Sequence, residues 1–289
     1  MVRGICWALA LATAGLGAAP GQKAGGLLPS GRVPAVGILA RPTLTDAQRL
    51  FYNAQYEAAA DLTLALRRSA TQDLANDELR SSALLFQLKT LLEAPGDKEA
   101  TKKDALKYCA ACPGLMKSFF EDVSHGQALA RATLRANPDD DVALFYLGKL
   151  DLNYVWLQLG PLTRKTGWNE YWEARRSLDA VLKRDPRHVR ALIARAWIDY
   201  IVDTKMPWGT RWILGGGSRK RALLAVGDAD AIESSFYAHT EAEFALWDMR
   251  VRERDVVGAT EVARRLAGEF PENKEVARFL EAGQKNVRR

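Results

Sequence analysis

The chain contains the stretch ARRSLDAVLKRDP at residues 174–186, which sets Ala174, Leu178, Val181 and Pro186 at gaps of 4, 3 and 5 residues. Steps of 4 and 3 residues keep the first three side chains on one face of an α-helix. Proline has no amide hydrogen and clashes with the preceding turn, so it marks where such a helix must stop. The stretch therefore predicts a helix that carries a small and apolar contact face and ends just before residue 186.

Two further segments repeat these gaps with other residues. They are Ala259, Ala263, Leu266 and Pro271, and, with weaker residues, Gly126, Ala130, Thr133 and Pro138. The small residue that opens each set lets a neighbouring helix approach closely. The pattern resembles the second helix of a tetratricopeptide repeat, a unit of roughly 34 residues that buries its apolar face by stacking on its neighbours.

The resemblance covers roughly residues 43–284 and implies an all-α fold, in which helical hairpins stack into a right-handed superhelical solenoid. In this family the first helix of each hairpin lines a concave groove. The repeat register places these residues in that groove: Phe145, Lys149, Asn153, Arg190, Ile193, Trp197, Tyr200, Glu241, Phe244, Asp248 and Arg252. We therefore expect a scaffold that binds a protein or peptide partner there.

Two connections are longer than a regular repeat allows. Pro138 and Pro186 are 48 positions apart, about 14 more than one repeat, and the excess falls in residues 159–167. A second insertion spans residues 203–228. Long connections that interrupt a repeat array often carry function, so both are candidate sites.

The second insertion places Trp208, Arg211 and Trp212 in a loop. Exposed aromatic and arginine side chains are preferred anchors of interfaces. The loop either packs back over the helices as a plug, with Trp212 buried, or presents these three residues to a partner.

The first residues of the chain have the order of a secretory signal. Arg3 precedes a short apolar stretch, and small residues follow at 16–18, which predicts a cleaved signal peptide at residues 1–18. Residues 19–42 are rich in Gly and Pro and predict a disordered leader, and residues 285–289 form a basic tail. We therefore expect an exported protein, periplasmic or secreted, that contacts a membrane only through a partner.

Cys109 and Cys112 are the cysteines that remain after removal of the predicted signal peptide. In an exported chain two thiols at this spacing normally form a disulfide. The alternatives are thiol–disulfide exchange, which normally uses a βαβ scaffold, and a zinc site, for which His125 is a nearby residue but a fourth ligand is missing.

Composition limits the remaining function classes. The net charge of +6 is scattered along the chain, which argues against a nucleic-acid partner. Serine, cysteine and carboxylate residues form no catalytic pattern, so we expect no enzyme activity, cofactor or metal. Two rivals to the scaffold remain. A deep enclosed pocket would favour a small-molecule-binding component of a periplasmic transport system, and a solvent-facing reactive thiol would favour a redox protein.

Overall fold

A computed structural model describes residues 41–67, 70–93, 106–162, 164 and 166–287. The predicted signal peptide lies outside these residues, as do all but the last two residues of the predicted leader and the last two residues of the basic tail. The described residues contain helices and no strand, so the predicted all-α class is confirmed.

The long helices follow one another with short turns between most of them. Their bounds are α1 Leu44–Tyr52, α2 Tyr56–Leu66, α3 Ala70–Glu93, α4 Cys112–Ala136, α5 Asp141–Leu159, α6 Trp168–Arg184, α7 Val189–Lys205, α8 Trp208–Arg211, α9 Arg219–Asp230, α10 Phe236–Arg252, α11 Val256–Glu269 and α12 Lys274–Val287.

The prolines end helices where the sequence predicts. Helices α4, α6 and α11 each stop two residues before a proline, at Ala136, Arg184 and Glu269. The next helix then begins at a side-chain cap. For α5 the Oδ1 atom of Asp140 accepts a hydrogen bond from the amide of Ala143 at 2.8 Å, and for α7 the Nδ1 atom of His188 accepts one from Ala191 at 3.1 Å. These caps satisfy amides that the first helical turn leaves unpaired.

Small residues bring α5 and α6 close together. Ala174 is fully buried, and a Cβ atom added to Gly148 would lie 3.3 Å from the Ala174 carbonyl oxygen and 2.9 Å from the Cγ atom of Leu178. The backbone of α5 therefore leaves no space for a larger side chain at this contact, as the spacing of the quartet predicts.

Helices α7 and α10 run in the same direction. Near the start of α7, Arg190 pairs with Glu241 near the start of α10. Near their ends, the Tyr200 hydroxyl donates to the Glu253 carboxylate at 2.9 Å. The C-terminal ends of α7 and α10 therefore lie at one edge of the molecule.

The first helix joins the two ends of the helical array. The ring of Tyr52 in α1 stacks on Phe244 in α10 with centroids 4.9 Å apart, and the side-chain amide of Asn273 donates to the Tyr52 carbonyl at 2.7 Å. Tyr52 is 192 positions from Phe244 and 221 positions from Asn273 in the chain. The array is therefore closed by α1, which contacts both α10 and the turn before α12.

We expect Ala174→Trp to lower the free energy of unfolding by about 1–3 kcal/mol or more, because an indole cannot fit between α5 and α6. Arg176→Trp is the matched control, since Arg176 is exposed on the same helix. Thermal melting of the two variants checks this. Equal melting temperatures for both variants and the parent would contradict the close packing of α5 on α6.

Candidate functional site

Four charged side chains meet inside the molecule and form what we call the central cluster: Glu78, Lys149, Arg190 and Glu241. The Arg190 guanidinium donates from Nε to Glu241 at 2.5 Å and from Nη2 to Glu78 at 2.8 Å. The Lys149 ammonium lies 2.5 Å from Glu241 and 3.5 Å from Glu78. Two cations thus alternate with two carboxylates from helices α3, α5, α7 and α10.

Polar and aromatic groups surround the central cluster. The side-chain amide of Asn153 donates to the hydroxyls of Ser81 and Ser82 at 2.9 and 3.0 Å. The Arg190 guanidinium carbon also lies 4.8 Å from the centre of the Phe145 ring and 4.2 Å from that of Tyr237. These are distances at which a cation is attracted to an aromatic face.

In the central cluster, ion pairing outweighs the effect of burial on the pKa values of Glu241 and Arg190. Burial raises the pKa of Glu241, but Arg190 and Lys149 lower it further, to about 2. Burial lowers the pKa of Arg190, but the carboxylates of Glu241 and Glu78 contribute to a net pKa well above the ordinary value. Glu241 and Arg190 are therefore both charged at neutral pH, and each depends on its neighbours to remain so.

The predicted groove residues are largely enclosed by the chain itself. Phe145, Asn153, Arg190 and Tyr200 are buried, and the Lys149 side chain is 15% exposed. Five of the predicted residues come together in or beside the central cluster: Phe145, Lys149, Asn153, Arg190 and Glu241.

The other predicted groove residues lie farther along α7 and α10. Trp197 is half-buried beneath the Arg252 guanidinium, which is 5.4 Å from its ring. Phe244 packs on Tyr52, and Asp248 forms a two-bond ion pair with Arg252 at 2.9 and 3.0 Å. These side chains therefore contact one another or, in the case of Phe244, a residue of α1.

Sequence reasoning missed Glu78 and Tyr237 as members of this interior. Glu78 lies in a region where the repeat pattern is not legible, so no register placed it on an inner face. A buried glutamate that needs a cation could be recognised only from its partner, Arg190, which is 112 residues away.

A second candidate site, which we call the insertion edge, comprises residues 205–221 and the turn 252–257. These segments adjoin, because the Arg219 guanidinium lies 3.7 Å from the Glu253 carboxylate. Residues 219–228, which the sequence analysis assigned to the insertion, belong to α9. The loop proper is therefore residues 206–218, with the short helix α8 inside it.

Backbone carbonyls anchor the loop to α6. The Tyr171 hydroxyl donates to the Leu214 carbonyl at 2.7 Å, and Arg175 donates to the carbonyls of Leu214 and Gly215 at 2.8 and 2.9 Å. On the other side, Arg211 pairs with Asp203 of α7 at 2.6 Å. The loop therefore has a defined position, and Arg211 contributes to holding it.

The loop buries one apolar side chain and exposes three. Leu214 is buried with 6% of its surface exposed, whereas Trp208, Trp212 and Ile213 are 86%, 76% and 54% exposed. The loop packs on the helices as a plug through the side chain of Leu214 and not through that of Trp212. The two tryptophans instead project into solvent.

A small apolar cavity lies beneath the loop, between α5, α6 and α7. Its walls include Trp156, Tyr171, Ile198 and Leu214, and the space open to the centre of a water-sized sphere is about 20 Å³. One such sphere needs about 10–15 Å³. This cavity therefore lacks room for a metabolite, and it does not provide the deep pocket that a small-molecule-binding module requires.

Cys109 and Cys112 form the predicted disulfide, with an S–S distance of 2.03 Å. Cys112 is fully buried at the start of α4. His125 does not join them, because its Nδ1 atom pairs with Asp77 at 2.6 Å. The arrangement therefore fits a structural crosslink.

One group of potential metal ligands is present among the described residues. Ligand atoms of Asp230, His239 and Glu243 all lie within 4.8 Å of one another, a grouping that sequence reasoning missed. The Arg265 guanidinium donates to Glu243 at 2.7 Å and to Asp230 at 3.4 Å. Arginine thus supplies the positive charge that a metal ion would otherwise bring.

Comparison of the chain with protein-family models, curated proteins and solved structures found no match. Within the part of the chain that the structure describes, none of the helices has the length and apolar character needed to cross a bilayer.

We expect Glu241→Gln to reduce the free energy of unfolding by about 3–5 kcal/mol, because it leaves Arg190 and Lys149 with too little negative charge in a buried site. Glu261→Gln, at an exposed position of α11, is the control and should change little. Denaturant unfolding at neutral pH measures both.

The same cluster predicts how stability depends on acid. The Glu241 pKa falls from 4.5 in the unfolded chain to about 2 in the folded protein. Its contribution is therefore present above pH 4.5 and is lost as the pH falls toward 2. The Glu241→Gln variant should lack this part of the acid-induced loss, and an unchanged acid profile would argue against the ion pairs.

The loop provides a matched pair of truncations. Leu214→Ala should destabilise the protein by about 2–5 kcal/mol because it empties a buried position. Trp212→Ala should leave the melting temperature nearly unchanged because the indole is mostly exposed. A strongly destabilised Trp212→Ala variant would show instead that the indole packs on the helices.

Proposed function

We propose that this protein is an exported, non-enzymatic docking module of the tetratricopeptide type, and that it holds its partner at the insertion edge. The proposal keeps the scaffold role that the sequence suggests. It moves the docking surface from the concave groove to the edge, because the groove side chains are already paired with one another.

The exposure of Trp208 and Trp212 carries this proposal. Each tryptophan side chain can bury about 150–250 Å², and apolar surface contributes about 25 cal/mol per Å² when it leaves water. Covering both indoles would therefore contribute several kcal/mol. Soluble proteins rarely leave large apolar groups together at a surface unless something binds there.

The way the loop is held supports the same proposal. The buried Leu214 side chain and the hydrogen bonds that α6 donates to the loop carbonyls fix the loop backbone. The ion pair of Arg211 with Asp203 holds the loop against α7. The two indoles are thus presented from an ordered support, which lowers the entropy that binding must overcome. The cavity beneath the loop has only about 20 Å³ of space, so the partner would rest against the edge rather than enter the molecule.

Site-specific photocrosslinking in the native host tests the proposal. A photoreactive amino acid at position 212 should form a defined adduct in intact cells, whereas the same amino acid at position 187 should not. Arg187 is an exposed residue in the turn between α6 and α7, at the opposite edge of the molecule. Equal labelling, or no labelling, at both positions would overturn the proposal.

A further inference from the structure

Most of the charged residues around the two tryptophans are basic. Between residues 203 and 224 the basic residues are Lys205, Arg211, Arg219, Lys220 and Arg221, and the acidic residue is Asp203. Asp203 is paired with Arg211. Lys205, Arg219, Lys220 and Arg221 are exposed, and Glu253 lies 3.7 Å from Arg219.

The neighbouring turn extends this surface with more apolar and basic side chains. Val256 and Val257, at the start of α11, are 57% and 74% exposed, and Arg254 beside them is exposed as well. The turn has two acidic residues: Glu253, which lies 3.7 Å from Arg219, and Asp255, whose side chain caps α11 by accepting from the Gly258 amide at 3.0 Å. The insertion edge thus combines exposed apolar side chains with more basic than acidic residues.

We propose that the insertion edge binds the surface of an anionic lipid bilayer. This inference rests on the proposed docking function and names its partner. Trp208 and Trp212 enter the boundary between headgroups and acyl chains, where indoles are enriched. Lys205, Lys220 and Arg221 face the anionic headgroups, which attract basic residues within about one Debye length of the surface.

A lipid surface fits the exposed side chains of the insertion edge better than a nucleic acid or a protein partner does. Ile213, Val256 and Val257 are aliphatic side chains, which bury well in acyl chains but cannot stack on bases as aromatic groups do. The exposed apolar side chains also come from two separate segments, the loop 206–218 and the start of α11. A bilayer surface accepts such side chains at any spacing, whereas a folded protein partner needs a matching pocket for each.

Vesicle binding tests the inference with the full chain. Sedimentation with vesicles of phosphatidylcholine alone is compared with vesicles that also contain about 30% phosphatidylglycerol, an anionic lipid. We expect partitioning about tenfold or more stronger on the anionic vesicles at about 0.05 M salt, with most of the difference lost at about 1 M salt.

Matched variants locate the binding surface. Lys220→Ala/Arg221→Ala should weaken binding to the anionic vesicles by about tenfold or more. Lys183→Ala/Arg187→Ala is the control, since it removes the same charge from exposed positions on the far side of the molecule. Any contribution of the N-terminal residues is common to every variant. Equal weakening by the two double variants would overturn the assignment to this edge.

Fluorescence quenching reports the indoles directly. Brominated lipids should quench the tryptophan emission of the parent chain, and Trp208→Ala/Trp212→Ala should lose most of that quenching and bind about tenfold more weakly. Thermal melting confirms that this variant is folded, and the single Trp212→Ala variant replaces it if it is not. Unchanged quenching in the variant would overturn the inference.

The vesicle and crosslinking experiments together separate the two proposals. A protein adduct at position 212 combined with absence of vesicle binding would overturn the membrane inference and leave the docking function standing. Absence of both would overturn both. Vesicle binding that depends on Trp208 and Trp212, together with a lipid adduct at position 212, would support both.

Discussion

The buried ion pairs of Arg190 with Glu78 and Glu241 are the constraint on which the rest of the structure depends. Removing a charge from water costs several kcal/mol, and the cost is recovered only when opposite charges and hydrogen bonds surround it. Because the partners come from α3, α7 and α10, those three helices must be in place together. Lys149 of α5 adds a fourth helix to the same requirement.

This constraint also decides what the inner face can do. A concave surface that offers free charges can recognise a peptide, whereas here the charges satisfy one another. Helix α1 adds to this enclosure, because Tyr52 stacks on Phe244. Among the described residues, five exposed large apolar side chains lie at the insertion edge: Trp208, Trp212, Ile213, Val256 and Val257.

The loop shows how one short segment serves both structure and surface. Leu214 points inward and closes the space above α5 and α7, while Trp208 and Trp212, only a few residues away, point outward. The anchoring bonds from Tyr171 and Arg175 involve backbone carbonyls. These bonds do not involve the side chains of Trp208 and Trp212, so those two residues can change without loss of the fold.

The sequence by itself determined the local features of this protein. The helix ends before the prolines, the buried small residue Ala174 and the Cys109–Cys112 disulfide all depend on residues within a few positions of one another. The meeting of Glu78 with Arg190, the closure of the array by Tyr52 and the outward direction of Trp212 were decided only in the tertiary structure. These contacts join residues far apart in the chain, and a periodic pattern shows which face of a helix is apolar but not which distant side chain will cover it.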